Sequence, residues 1–172
     1  MEIAQPLTIV PVSEIPVAQD VVLENLFKIY KTCLQLKDLC EEKIGIGISA
    51  VQAGIPMKLF AVKFPKGEYA YYANCEYRSS PGAAKILHIE GCLSLKTEKG
   101  KLKTYEVHRY KDVLINGYQI EEVGNDLVLK QLQDYPVSGF YAAVFQHEID
   151  HHFGILISDI GNEVDLTPAD FA

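Results

Sequence analysis

A single α+β domain, with antiparallel strands around a central helix, is the fold class this sequence predicts, on three observations. Phe140, Val144, Phe145, His147 and His151 share one segment at helical spacing. That segment is too apolar for a surface element, so it is expected at the centre. Leu23, Leu26, Phe27, Tyr30, Cys33, Leu34 and Cys40 recur at helical spacing across about 20 to 43, with Lys, Glu and Asp opposite. They predict a long N-terminal amphipathic helix, with Cys33 and Cys40 as small buried hydrophobes. Between the two helices lie short apolar runs separated by turn residues, which read as strands.

In chain order, Pro6, Pro11 and Pro16 punctuate an extended arm expected to lie against the body. Gly45 to Gly54 reads as a small-residue loop of close backbone approach; it has neither the Lys-Ser/Thr of a phosphate loop nor a supporting βαβ unit. Met57 to Phe64 and Tyr69 to Asn74 read as strands joined through Pro65-Lys66-Gly67, and Ser79 to Gly82 as a turn. Lys101 to Tyr110 alternates Leu102, Thr104, Glu106, His108 and Tyr110 against Lys103, Tyr105, Val107 and Arg109, a strand with one wetter face. Asn116-Gly117 predicts a two-residue hairpin between Val113–Ile115 and Tyr118–Ile120. Asp126 to Leu132 predicts another strand, Pro136 precedes the second helix, and Gly154 falls where that helix should stop.

At 172 residues the chain suits one catalytic domain over 1–172, with a short C-terminal tail from about 159. A net charge of −7 argues against a direct nucleic-acid or anionic-membrane footprint. The lysines of 96–103 read as a solvated loop or edge strand. No signal peptide or membrane span is read, and four cysteines without framework spacing fit a reducing compartment, the cytoplasm.

Chemistry is dictated at Gln146-His147-Glu148-Ile149-Asp150-His151. On a helix, His147 and His151 stand one turn apart and can hold one metal ion. Glu148, pointing beside the ion, can take a proton from the attacking water. Catalytic sites of this kind use a third protein ligand. A His at 157 would complete one protease pattern, but that residue is Ile157. An endopeptidase reading takes Glu163 instead, with little chain left to support it. Cys92, in Glu90-Gly91-Cys92-Leu93-Ser94, is the upstream candidate, although a cysteine there also reads as a small buried hydrophobe.

Gly45-Ile46-Gly47-Ile48-Ser49-Ala50-Val51-Gln52, then Glu90-Gly91-Cys92-Leu93-Ser94, then Gln146 to His151 resemble, in order and separation, the three motifs of the peptide deformylases. The resemblance implies that Cys92, His147 and His151 bind one divalent ion, natively Fe²⁺, with Zn²⁺, Ni²⁺ or Co²⁺ as substitutes. It implies Glu148 as the proton acceptor, with Gln52 and the backbone N–H of Leu93 as the oxyanion hole. Glu90 would be a buried, paired structural partner. A substrate would lie along Ile46-Gly47, with Phe140, Ala143 and Val144 beside the methionine side chain. The implied reaction removes the N-formyl group from N-terminal formylmethionine of nascent polypeptides, releasing formate, by a monomer in transient contact with the ribosome. Ser49, the Leu95-Lys96-Thr97 run after the second motif, and His152 depart from the family's usual residues. Those departures bear on the entry rim and the end of the helix.

Overall fold

The computed structural model describes residues 5–165. Helix α1 spans Leu26–Glu42, and Asn25 caps it by accepting from the Lys28 amide at 3.1 Å. Its buried residues are Ile29, Cys33, Leu36, Leu39 and Cys40. This corrects the expected stripe: at 3.6 residues per turn these five share one face, while Phe27 and Leu34 project from the opposite side, 69% and 39% exposed.

Strands β1 (Gly47–Ser49), β2 (Leu59–Lys63), β3 (Tyr69–Ser79), β6 (Asp112–Val123) and β7 (Asp126–Ser138) form one sheet in the order β1-β2-β3-β6-β7. Strands β4 (Lys85–Lys96), β5 (Leu102–Tyr110) and β8 (Asn162–Val164) form a second, and all pairs are antiparallel. Helix α2 (Phe140–His152) buries eleven of its residues and has contacts with strands of both sheets. A short helix, α3 (Ile157–Ile160), leads into β8. Of the residues from about 159, set apart above as a tail, Asn162–Val164 pair with β5. Those beyond 165 lie outside the described residues.

The hairpin expected at Asn116-Gly117 is not there. Strand β6 runs through both residues, and the turn falls at Gly124-Asn125, where Val123 pairs with Asp126. Gly117, at φ 148, meets β3 so closely that a Cβ would stand 2.6 Å from the Cys75 sulfur. The ladder is irregular there on both sides of β6, so long-range pairing outvoted a strong local turn signal. Strands β3 and β7 run on past the expected ends, to Ser79 and Ser138. Pro136 is tolerated inside β7 because that strand is a sheet edge.

The N-terminal arm lies against the body: Val10 donates to the Gln52 carbonyl at 2.9 Å, and Gln19 bridges to Met57. This braces the 3₁₀ turn Ala50–Ala53 that carries Gln52.

Candidate metal centre

Gly139, at φ 69, breaks the chain out of β7, and α2 begins at Phe140. Left-handed Gly154, at φ 73, ends that helix by donating to the His151 carbonyl at 3.2 Å. Between them His147 and His151 present their rings one turn apart, centroids 5.1 Å from each other. On β4, the register pairs Gly91 with Thr104 and Lys96 with Leu102, leaving Cys92 to Leu95 without ladder partners on β5. This wide bulge brings the Cys92 sulfur 3.7 Å from His151 Nε2. One ligand atom from each of Cys92, His147 and His151 lies within 4.8 Å of the other two, and all three residues are buried.

The donor set fits a divalent ion. Tetrahedral Zn–S and Zn–N bonds put ligand atoms roughly 3.3–3.6 Å apart, close to the sulfur–nitrogen spacing seen. His147 Nε2 is buried with no hydrogen-bond partner. Its other nitrogen, Nδ1, lies 2.9 Å from Glu90 Oε1. A carboxylate there keeps the proton on Nδ1 and leaves the Nε2 lone pair facing Cys92 and His151.

Both Glu148 oxygens are also buried without a partner. Burial, with the Glu90 charge adding to it, pushes this carboxyl up to about 7 against the pull of His147 and Arg109. That is a poise suited to proton transfer near neutrality. A Cβ on Gly47 would stand 2.9 Å from Glu148 Oε1, so only glycine lets β1 come this close. Gln52 is locked at both ends of its amide. Its Oε1 accepts from the Ser49 amide at 2.9 Å, while Nε2 donates to Ser94 Oγ at 3.0 Å and approaches Cys92 Sγ at 3.5 Å. Leu93 falls in the bulge, with no ladder partner on β5.

Of the other expected site residues, Ile46 is partly buried and its carbonyl accepts from the Lys63 amide at 2.7 Å. Phe140 is 44% exposed at the start of α2, Ala143 is buried, and Val144 is packed in the core with Phe60, Val62 and Ile149. Glu163 is exposed on β8 and outside the ligand group, which removes it as third ligand. His152 ends α2 with Nε2 3.4 Å from the Leu59 carbonyl, and it too stands outside that group.

Sequence reasoning missed Arg109 and Asp150. The Arg109 guanidinium donates twice to Glu90, at 3.0 and 2.9 Å, and once to Asp150, at 2.7 Å. Burial opposes the Glu90 charge, yet the hydrogen bonds from His147 and Arg109 hold its carboxyl down at about 2. The available signal was phase: Arg109 shares the face of buried Tyr105 and Val107 on β5. Arg109→Ala strands two buried carboxylates and is expected to cost about 3–5 kcal/mol of folding stability, read by urea unfolding.

The polypeptide deformylase family model matches residues 10–165. The chain belongs to that family. The peptide deformylase of Desulforudis audaxviator is 31% identical over 77% of this chain and 77% of its own length. That of Halothermothrix orenii is 32% identical over 90% of this chain and 99% of its own. The crystal structure of a probable peptide deformylase from Synechococcus phage S-SSM7 superposes with a TM-score of 0.72 at 25% identity, covering 90% of this chain and 99% of that one. Across this deformylase family member, the match takes in every group described at the centre.

Proposed function

We propose that this chain removes the formyl group from the N-terminal formylmethionine of nascent polypeptides, giving formate and a free amine. The observation that carries the reading is the meeting of Cys92, His147 and His151 beside Glu148, in a chain of the deformylase family. In this reading α2 is the central scaffold of a single catalytic domain, and α1 is its long amphipathic flank.

Cys92, His147 and His151 hold one divalent ion, Fe²⁺ in the cell and Zn²⁺, Ni²⁺ or Co²⁺ as substitutes. When bound, such an ion polarises a carbonyl and makes water more acidic. Glu148 takes the proton of the attacking water and passes it to the departing amine. The Gln52 side-chain amide and the Leu93 backbone N–H donate to the formyl oxygen as charge builds there. Gln52 frees its N–H for this by giving up its long contact to Cys92, because Ser49 and Ser94 already fix the amide plane.

The substrate backbone lies along the free edge of β1 at Ile46-Gly47, where glycine leaves room for it. Ile46, Phe140, Ala143 and Val144 wall the methionine side chain. The enzyme acts as a cytoplasmic monomer, meeting its substrates at the ribosome.

The test is formate release from a formyl-Met tripeptide by purified protein reconstituted anaerobically with Fe²⁺, alongside elemental analysis of the protein as isolated. Formate in step with new free amine is the expected result. Cleavage of internal peptide bonds with no formate would overturn the assignment.

A further inference from the structure

The metal ligands do not account for one long buried chain of polar groups that reaches them from the other sheet. Glu90 Oε1 faces His147 Nδ1 at 2.9 Å, and both Glu90 oxygens accept from the Arg109 fork. The third Arg109 nitrogen, Nη1, donates to Asp150 Oδ2 at 2.7 Å. Asp150 Oδ1 in turn accepts from the Tyr77 hydroxyl at 2.7 Å. Tyr77 belongs to β3, Glu90 and Arg109 to the second sheet, and His147 and Asp150 to one face of α2.

We propose that Tyr77, acting through Asp150 and Arg109, is a positioning residue for His147; the inference rests on the metal-centre reading above. The argument is one of charge. Glu90 and Asp150 are two buried carboxylates sharing a single guanidinium, so the two acids compete for its donors. A buried carboxylate oxygen that loses its donor recruits another. With the Tyr77 hydroxyl in place, Asp150 takes one Arg109 nitrogen and leaves the other two for Glu90. Without it, Asp150 draws the guanidinium toward itself and pulls the fork off Glu90. Glu90 then holds the His147 ring less firmly, and the orientation of Nε2 toward Cys92 and His151 loosens. Tyr77 touches neither substrate nor ion in this account. It divides one arginine between two acids.

The test is Tyr77→Phe, which deletes one oxygen and keeps the ring. Co²⁺ affinity is read from thiolate–cobalt absorption, kinetics from formate release, and the His147 Nδ1–H resonance from proton NMR of the Zn²⁺ form. Expected are a roughly tenfold loss of Co²⁺ affinity, a fall in kcat with KM unchanged, and a moved or broadened Nδ1–H signal. A variant that is only less heat-stable, with Co²⁺ affinity and the Nδ1–H signal of the wild type, overturns the proposal. Should Tyr77→Phe fail to fold, Asp150→Asn is measured in its place. This variant removes the charge that competes for Arg109 and leaves the fork on Glu90, so Co²⁺ affinity at or above wild type supports the division and a loss overturns it. Wild-type protein that shows no thiolate–cobalt band sinks the metal-centre reading itself, which separates the two failures.

Discussion

Glu148→Gln keeps the metal and lowers kcat by about 10³-fold. The carboxyl is fully buried, and neither of its oxygens has a hydrogen-bond partner among the described residues. The substitution therefore removes no structural contact; it replaces a group that can accept a proton with one that cannot. The amide keeps the shape that Gly47 accommodates, so the β1 edge and substrate binding are preserved. Metal content by elemental analysis and kcat on a formyl-Met tripeptide check the prediction together. Full metal content with near wild-type turnover would take Glu148 out of the proton-transfer role.

Cys92→Ala abolishes both metal binding and turnover. Its effect exceeds the roughly 10–100-fold cost of removing an outer partner such as a ligand's hydrogen-bonded carboxylate. Two histidines one turn apart on α2 are left with no third donor among the described residues, where the group meeting them holds only this one other residue. Cobalt absorption shows the loss directly, since the thiolate band vanishes with the sulfur. Unchanged binding in this variant would mean that the ion sits elsewhere. The other three cysteines cannot stand in for it. Cys33, Cys40 and Cys75 are buried away from the two histidines and lie outside the ligand group found among the described residues.

The site was legible in the sequence wherever one element contains the whole pattern. His147, Glu148 and His151 follow from helical spacing alone. Cys92 does not: its approach depends on a bulge in β4 that no local residue announces, so the residues offered it only as a candidate and the resemblance to a family singled it out. Arg109 was placed on one of the two faces of a strand with a wetter side, and nothing within that strand marked its charge as buried. Its partners Glu90 and Asp150 come from two other elements, so burial with full pairing could not be read from β5. Asn116-Gly117 failed for the opposite reason. There the local signal was strong, but the glycine serves close packing against Cys75 rather than reversal, and Gly124-Asn125 makes the turn. In α1, two overlapping apolar series compete, and only packing against the sheet decides that Ile29 and Leu36 go inward while Phe27 does not.

The ends of the five-stranded sheet carry a consequence for self-association. An open sheet invites copies of itself to add strands, and both β1 and β7 are unpaired on their outer side among the described residues. Strand β7 is long, but Pro136 withholds a donor, Asp134 twists the backbone at φ 46, and Lys130 adds charge. Strand β1 has no such guard and instead is only three residues long. It offers too short a ladder to hold a second folded copy, yet it is as long as the first few residues of an extended peptide. In the reading proposed above, that brevity would filter what adds to this edge, admitting chain ends and refusing sheets.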